Sequence, residues 1–165
     1  MCLAADLLTY GVVLMCIESS GAAAVDLHGI RIRHTMLRVA DLERSFWFYT
    51  QALGMHLLRR ETYPTGRFTL MFLGFGAESS NAVLELTHNW DISNYEPGTA
   101  FGHIAIGVRD LRAMCDHLHA LGVTILRAPG PMSHISPERT AAEQIAFIED
   151  PDGYRIELIQ EPHAA

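Results

Sequence analysis

At 165 residues, with 49% hydrophobic and 19% charged residues, the chain has the length of one domain or of two small joined modules, and enough apolar side chains for a packed core. Twelve Lys and Arg against nineteen Asp and Glu give 12 − 19 = −7 without a basic tract, which excludes a partner recognised through a phosphate backbone, so no nucleic-acid binding is expected. Three cysteines, Cys2, Cys16 and Cys115, form no Cys-x-x-Cys pair and leave one over, so a disulfide framework is excluded and a reducing, cytoplasmic setting is expected.

Residues 1–30 stand apart from the rest. Leu7 to Ile17 is an apolar run broken only by Thr9 and Gly11, too short to span a bilayer, so no membrane partner is expected. Gly21-Ala22-Ala23-Ala24 after it has the small residues of a leader cleavage site. However, Asp6 precedes the run and no Lys or Arg occurs before Arg31, so the basic start of a secretory leader is missing. The readings left for 1–30 are an added helix, a disordered extension or a start codon assigned too early.

From Ile32 the pattern is regular. Ile32 to Val39 alternates as a strand, with Ile32, His34, Met36 and Arg38 on one face and Arg33, Thr35, Leu37 and Val39 on the other. Asp41 can accept the free N–H groups of a first helical turn. Leu42, Phe46, Tyr49 and Leu53 form an amphipathic stripe, and Gly54 supplies the left-handed residue that ends the helix. Phe68–Leu73 and Ala82–Thr87 read as strands, connected through Gly74-Phe75-Gly76. Asn89 to Thr99, with Pro97-Gly98, is a polar connection.

The second half follows the same plan. His103–Val108 is a strand, Asp110 a cap, and Leu111, Met114, Leu118 and Leu121 a helical stripe in which Cys115 is plain core. Val123–Leu126 is a short strand, and Pro129–Glu143 a long loop. Ile145–Glu149 and Tyr154–Ile159 are strands joined by the tight turn Asp150-Pro151-Asp152-Gly153. The chain thus spells a βαβββ unit twice, at 31–90 and 101–161 with a linker at 91–100. This is an α+β fold of two curved mixed sheets with helices on their outer faces.

The repeat carries its polar residues in register. His34-Thr35-Met36-Leu37-Arg38-Val39-Ala40-Asp41-Leu42 returns as His103-Ile104-Ala105-Ile106-Gly107-Val108-Arg109-Asp110-Leu111, and each half closes on a strand holding Glu85 or Glu157 between aliphatic residues. Alternation puts the aliphatic residues under the helices and His34, Glu85, His103 and Glu157 on the opposite face. A desolvated, unpaired carboxylate in mid-strand costs several kcal/mol, and one divalent cation would compensate all four groups. Two imidazoles and two carboxylates leave two open positions in an octahedral shell, a set suited to Ni²⁺, Co²⁺ or Zn²⁺. Open positions beside a Glu base point to metal-assisted proton transfer next to a carbonyl. His56, His88, His117, His119 and His134 lack this symmetry and read as surface residues.

With His34–Val39, Phe48-Tyr49-Thr50, Leu53-Gly54-Met55, Leu84-Glu85-Leu86-Thr87-His88-Asn89-Trp90, Gly102-His103-Ile104-Ala105 and Glu149-Asp150-Pro151-Asp152-Gly153-Tyr154, the sequence resembles the glyoxalase I (lactoylglutathione lyase) family of the vicinal-oxygen-chelate superfamily, from about Ile32 to Gln160. The resemblance implies the vicinal-oxygen-chelate fold, with His34, Glu85, His103 and Glu157 as metal ligands. It implies conversion of the hemithioacetal of methylglyoxal and glutathione to S-D-lactoylglutathione through an enediolate. Glu157 would be the catalytic base, Glu85 its near-symmetric counterpart, and Arg38 and Asn89 the contacts to the glutathione moiety. It also implies one metal per chain, with Ni²⁺ or Co²⁺ favoured over Zn²⁺, and a homodimer with shared active sites that draw one His-Glu pair from each chain; the residues alone leave pairing within one chain or between chains open. The 129–143 loop lacks Lys, leaving His134 and Arg139 as candidate contacts to the thiol's second carboxylate. The alternatives are another enzyme of that superfamily, an epimerase or dioxygenase, or a non-catalytic small-molecule-binding module of the same fold.

Overall fold

The computed structural model describes residues 25–162. The apolar run at Leu7–Ile17, the small-residue stretch after it, Cys2 and Cys16 lie outside the described residues. Residues 25–30 belong to a unit separate from the body that begins at Arg31. Among the described residues no helix is long and apolar enough to cross a membrane.

The body consists of β1 (His34–Arg38), α1 (Leu42–Trp47) continued by a π-helical turn (Phe48–Ala52), β2 (His56–Tyr63), β3 (Phe68–Gly74) and β4 (Val83–Asn89). The plan then repeats as β5 (Ile104–Val108), α2 (Leu111–Ala120), β6 (Ile125–Pro131), β7 (Gln144–Glu149) and β8 (Arg155–Gln160). Each half makes a four-stranded mixed sheet, in the orders β1-β4-β3-β2 and β5-β8-β7-β6. In each, the first strand runs parallel to the last and the remaining pairs are antiparallel.

The same local chemistry starts both helices. Asp41 Oδ1 accepts from the Arg44 N–H (3.0 Å), and Asp110 Oδ1 from the Ala113 N–H (2.9 Å). Gly54 and Gly122 follow them at φ 76° and 77°, in the left-handed region that L side chains avoid. Leu37, Leu84 and Leu86 on one sheet and Ile106, Ile156 and Leu158 on the other join the helix residues Leu42, Tyr49, Leu111, Cys115 and Leu118 in one core.

The elements differ from the sequence reading in three places. The first helix widens at Phe48, where the Leu53 N–H bonds the Phe48 carbonyl five residues back (3.1 Å), and both adjacent rings, Phe48 and Tyr49, are buried edge to face. β2 was not visible as a strand, because adjacent Arg59 and Arg60 hide the alternation of an edge strand. β6 runs on to Pro131, past the expected end at Leu126, because as an edge strand it pairs only with β7 and tolerates proline and two register shifts.

The halves are tied by an acidic turn. Asp152 accepts from the Ala40 N–H (2.9 Å) and the Ser45 hydroxyl (2.8 Å), and the Tyr154 hydroxyl donates to the Arg38 carbonyl (3.1 Å). Buried Asp150 accepts from the Tyr49 hydroxyl at 2.7 Å and from the Asp152 and Tyr154 N–H groups at 2.9 and 2.8 Å. Burial raises the Asp150 carboxyl above its usual range, and these hydrogen bonds pull it back in part. A raised carboxyl contributes stability at pH below its unfolded value and loses it as pH rises through the folded value. Tyr49→Phe removes a bond that favours the ionised form. It is therefore expected to cost about 1–3 kcal/mol at neutral pH and less in acid, as read from denaturant melts at both pH values.

Candidate metal centre

Parallel pairing of the first and last strand of each half builds two matching sites. Met36 lies opposite Glu85, so His34, two residues back, shares the Glu85 face. Ala105 lies opposite Glu157, and His103 sits just before β5 on the same face. His34 Nε2 is 3.0 Å from Glu85 Oε2, and His103 Nε2 is 3.1 Å from Glu157 Oε2. The exposures also repeat: side chains of the histidines are 38% and 42% exposed, those of the glutamates 14% and 13%.

These distances suit a metal. Two N/O ligands about 2.1 Å from one ion, in adjacent octahedral positions, stand about 3 Å apart. Imidazole and carboxylate together are the donor set of a borderline divalent cation. The structure brings His34 to Glu85 and His103 to Glu157, but among the described residues no three metal-ligating side chains converge. Each chain therefore presents two half-sites.

Both half-sites share a support that the sequence reading missed. Phe72 lies opposite Glu85 on β3 and meets the His34 ring edge to face at 5.6 Å; Phe147 lies opposite Glu157 on β7 and meets the His103 ring at 5.4 Å. Phe-aliphatic at matching strand positions (Phe72-Leu73, Phe147-Ile148) was the available signal. Next along each sheet an arginine faces the phenylalanine, Arg59 opposite Phe72 and Arg127 opposite Phe147.

The two arginines differ in their partners. Arg59 stacks over the Phe72 ring (3.2 Å) and is neutralised by Glu78 (2.9 and 3.1 Å) and by Glu61, whose carboxyl is lowered by the Tyr63 hydroxyl and by Arg59. Arg127 donates to the Pro131 carbonyl (2.6 Å), and its other terminal nitrogen is buried without a partner. With Arg155, Leu126 and Phe147 it lines a cleft of about 320 Å³, beside a larger one of about 750 Å³ that includes His103. Among the described residues neither Arg127 nor Arg155 meets a carboxylate in an ion pair, although Glu149 lies opposite Arg155 and lines the larger cleft with it and Glu96.

The other candidates fall as follows. Arg38 is exposed at the end of β1, beside Thr87, and its guanidinium makes no hydrogen bond or ion pair among the described residues. Asn89 ends β4, and its amide donates to the Tyr95 hydroxyl (2.9 Å). His134 is exposed in the β6–β7 loop, where Arg139 pairs with Glu143 (2.6 Å). His56, His117 and His119 are exposed as expected. His88 is not a free surface residue: half-buried under the helix side of the sheet, its Nδ1 lies 3.2 Å from the Val39 carbonyl.

A model of the "Glyoxalase/Bleomycin resistance protein/Dioxygenase superfamily" matches residues 31–158. The chain belongs to this superfamily. Within it, the chain is 54% identical over 127 residues to a probable lactoylglutathione lyase of Synechocystis sp., covering 77% of this chain and 92% of that one. It is 47% identical over 135 residues to the lactoylglutathione lyase of Escherichia coli, covering 82% and 96%. Among solved structures, glyoxalase I from Zea mays matches with TM-score 0.73 at 40% identity, covering 81% of this chain and 46% of the maize chain. This chain thus spans under half of the maize protein. A trypanothione-dependent glyoxalase I of Leishmania major matches with TM-score 0.68 at 42% identity, covering 80% and 87%. The two βαβββ units expected from the repeat are observed, and they form the glyoxalase fold that the resemblance implied.

Proposed function

We propose that this protein is a metal-dependent lactoylglutathione lyase, converting the hemithioacetal of methylglyoxal and glutathione to S-D-lactoylglutathione and so removing methylglyoxal. The observation that carries the reading is the pair of equivalent His–Glu half-sites, His34 with Glu85 and His103 with Glu157, at 3.0 and 3.1 Å. Relatives near half identity over more than nine-tenths of their own length carry the lyase name.

These four side chains would hold one divalent metal per site, Ni²⁺ or Co²⁺ in preference to Zn²⁺. When bound, the metal polarises the substrate's oxygens and offsets the negative charge left as a C–H proton departs. The protein's own groups do the rest. Glu157 accepts the proton from C1 of the hemithioacetal and returns it to C2, and Glu85 is its counterpart on the other side. Phe72 and Phe147 hold the imidazoles by their edges. Glutathione carries two carboxylates: Arg38 and Asn89 of the first half would contact one, and Arg155, lining the cleft beside Phe147 in the second half, the other. The Arg38 guanidinium, exposed and without a carboxylate partner among the described residues, suits that task, since it can take a carboxylate bidentately.

A complete site needs a second chain. The half-sites of one chain do not converge, and Ile32 and Met36 on the His34 face are 72% and 43% exposed, an apolar surface that a partner sheet would cover. We therefore read the assembly as a homodimer in which His34 and Glu85 of one chain meet His103 and Glu157 of the other. A maize chain more than twice as long as the matched span has length for both partners in one polypeptide. The enzyme would work in the cytoplasm, with 1–30 as an extension to modules at 31–90 and 101–161 joined by a linker at 91–100.

The test is turnover. Protein stripped by a chelator should form no thioester from methylglyoxal and glutathione, and should recover with Ni²⁺ or Co²⁺ more fully than with Zn²⁺. Absence of thioester with all three ions would sink the reading.

A further inference from the structure

The repeat makes Glu85 and Glu157 equivalent toward metal, yet the residue two places further on differs. Glu85-Leu86-Thr87 on β4 answers to Glu157-Leu158-Ile159 on β8. Strand periodicity puts Thr87 on the Glu85 face and Ile159 on the Glu157 face. Buried Thr87 uses the position: its hydroxyl donates to Glu85 Oε1 at 3.0 Å, while Oε2 of the same carboxylate faces His34 Nε2 at 3.0 Å. Both oxygens of Glu85 are engaged. Glu157 has Oε2 toward His103, and among the described residues no hydroxyl or N–H reaches its other oxygen. Ile159 has nothing to donate.

The cross-strand neighbours add to this difference. Glu85 stands beside Met36, whereas Glu157 stands beside Ala105, a much smaller side chain. The phenylalanine on the other flank is the same in both halves. One carboxylate is held at both oxygens and crowded; the other is held at one oxygen and has space on one side.

We propose that Thr87 is a positioning residue that pins the Glu85 carboxylate toward the metal, so that Glu157 is the carboxylate left free to turn to the substrate. This rests on the lyase reading above, and it supplies what the repeat alone lacks: a physical reason for two symmetric glutamates to take unequal parts. Partners that orient a ligand carboxylate are commonly worth ten- to a hundredfold in metal affinity or activity.

Three substitutions test it. Thr87→Val keeps the shape and deletes the donor, and should weaken Ni²⁺ binding about tenfold in competition with a chromophoric chelator. Thr87→Ser restores a hydroxyl and should bring the affinity back. Ile159→Thr installs the missing donor beside Glu157, and should lower kcat about tenfold or more with Ni²⁺ affinity unchanged or higher. Wild-type affinity in Thr87→Val, equal weakening in Thr87→Ser, or wild-type kcat in Ile159→Thr would each overturn the proposal. The affinity measurements need no turnover, so they stay informative if wild-type protein fails the thioester assay; that failure would count against the lyase reading alone.

Discussion

Glu157→Gln is expected to lower turnover about a thousandfold while leaving metal binding nearly intact. An amide oxygen can still ligate, but the group cannot take up a proton at that oxygen under working conditions, and a positioned general base contributes about 10²–10⁴ in rate. The cross-strand packing should not move, since Glu157 is flanked by Ala105 and Phe147 and neither depends on its charge, and the amide oxygen of Gln can still face His103. The pattern sought is a fall in kcat with metal content and KM close to those of the wild type. Glu85→Gln should cost less turnover and more metal affinity, because Glu85 is the carboxylate held at both oxygens. Turnover retained in Glu157→Gln, with metal bound, would refute its role as base.

What the sequence disclosed and what it hid divide along physical lines. Residues with a period were legible. Alternation placed His34, Glu85, His103 and Glu157 opposite the aliphatic face, and the structure puts Leu84, Leu86, Ile156 and Leu158 in the core with those four on the other side. Capping was legible too, since Asp41 and Asp110 each stand just before a helical stripe and each accepts the expected N–H. Interactions that depend on which strands become neighbours were hidden. Phe72 and Arg59 reach the His34 half-site only because β3 joins β4 and β2 joins β3, and β2 carried no alternation to announce itself. The partnerless nitrogen of Arg127 is a matter of three-dimensional packing and has no one-dimensional signature. His88 shows the converse, a histidine without symmetry whose ring is nonetheless committed, to the Val39 carbonyl.

The separation of the half-sites makes the second large expected effect one of mixing. Consider a chain with His34→Ala and Glu85→Ala, and another with His103→Ala and Glu157→Ala. Each homodimer has one broken pair in both of its sites and should be inactive, since two of the four ligands, one histidine and one glutamate, are gone from each. If sites are shared between chains, a heterodimer of the two combines both broken pairs in one site and both intact pairs in the other. Random exchange of equal amounts makes half the dimers heterodimers, with one of two sites alive, so activity should return to about one quarter of wild type. If each chain paired its own half-sites, no mixture could assemble an intact set and activity would stay at background. The second result would also require His34 and Glu85 to reach His103 and Glu157 of the same chain, a convergence absent among the described residues. Recovery that appears only after the chains are unfolded together and refolded would still place the site between chains. It would add that the dimer exchanges slowly, as an interface covering the apolar Ile32 and Met36 should.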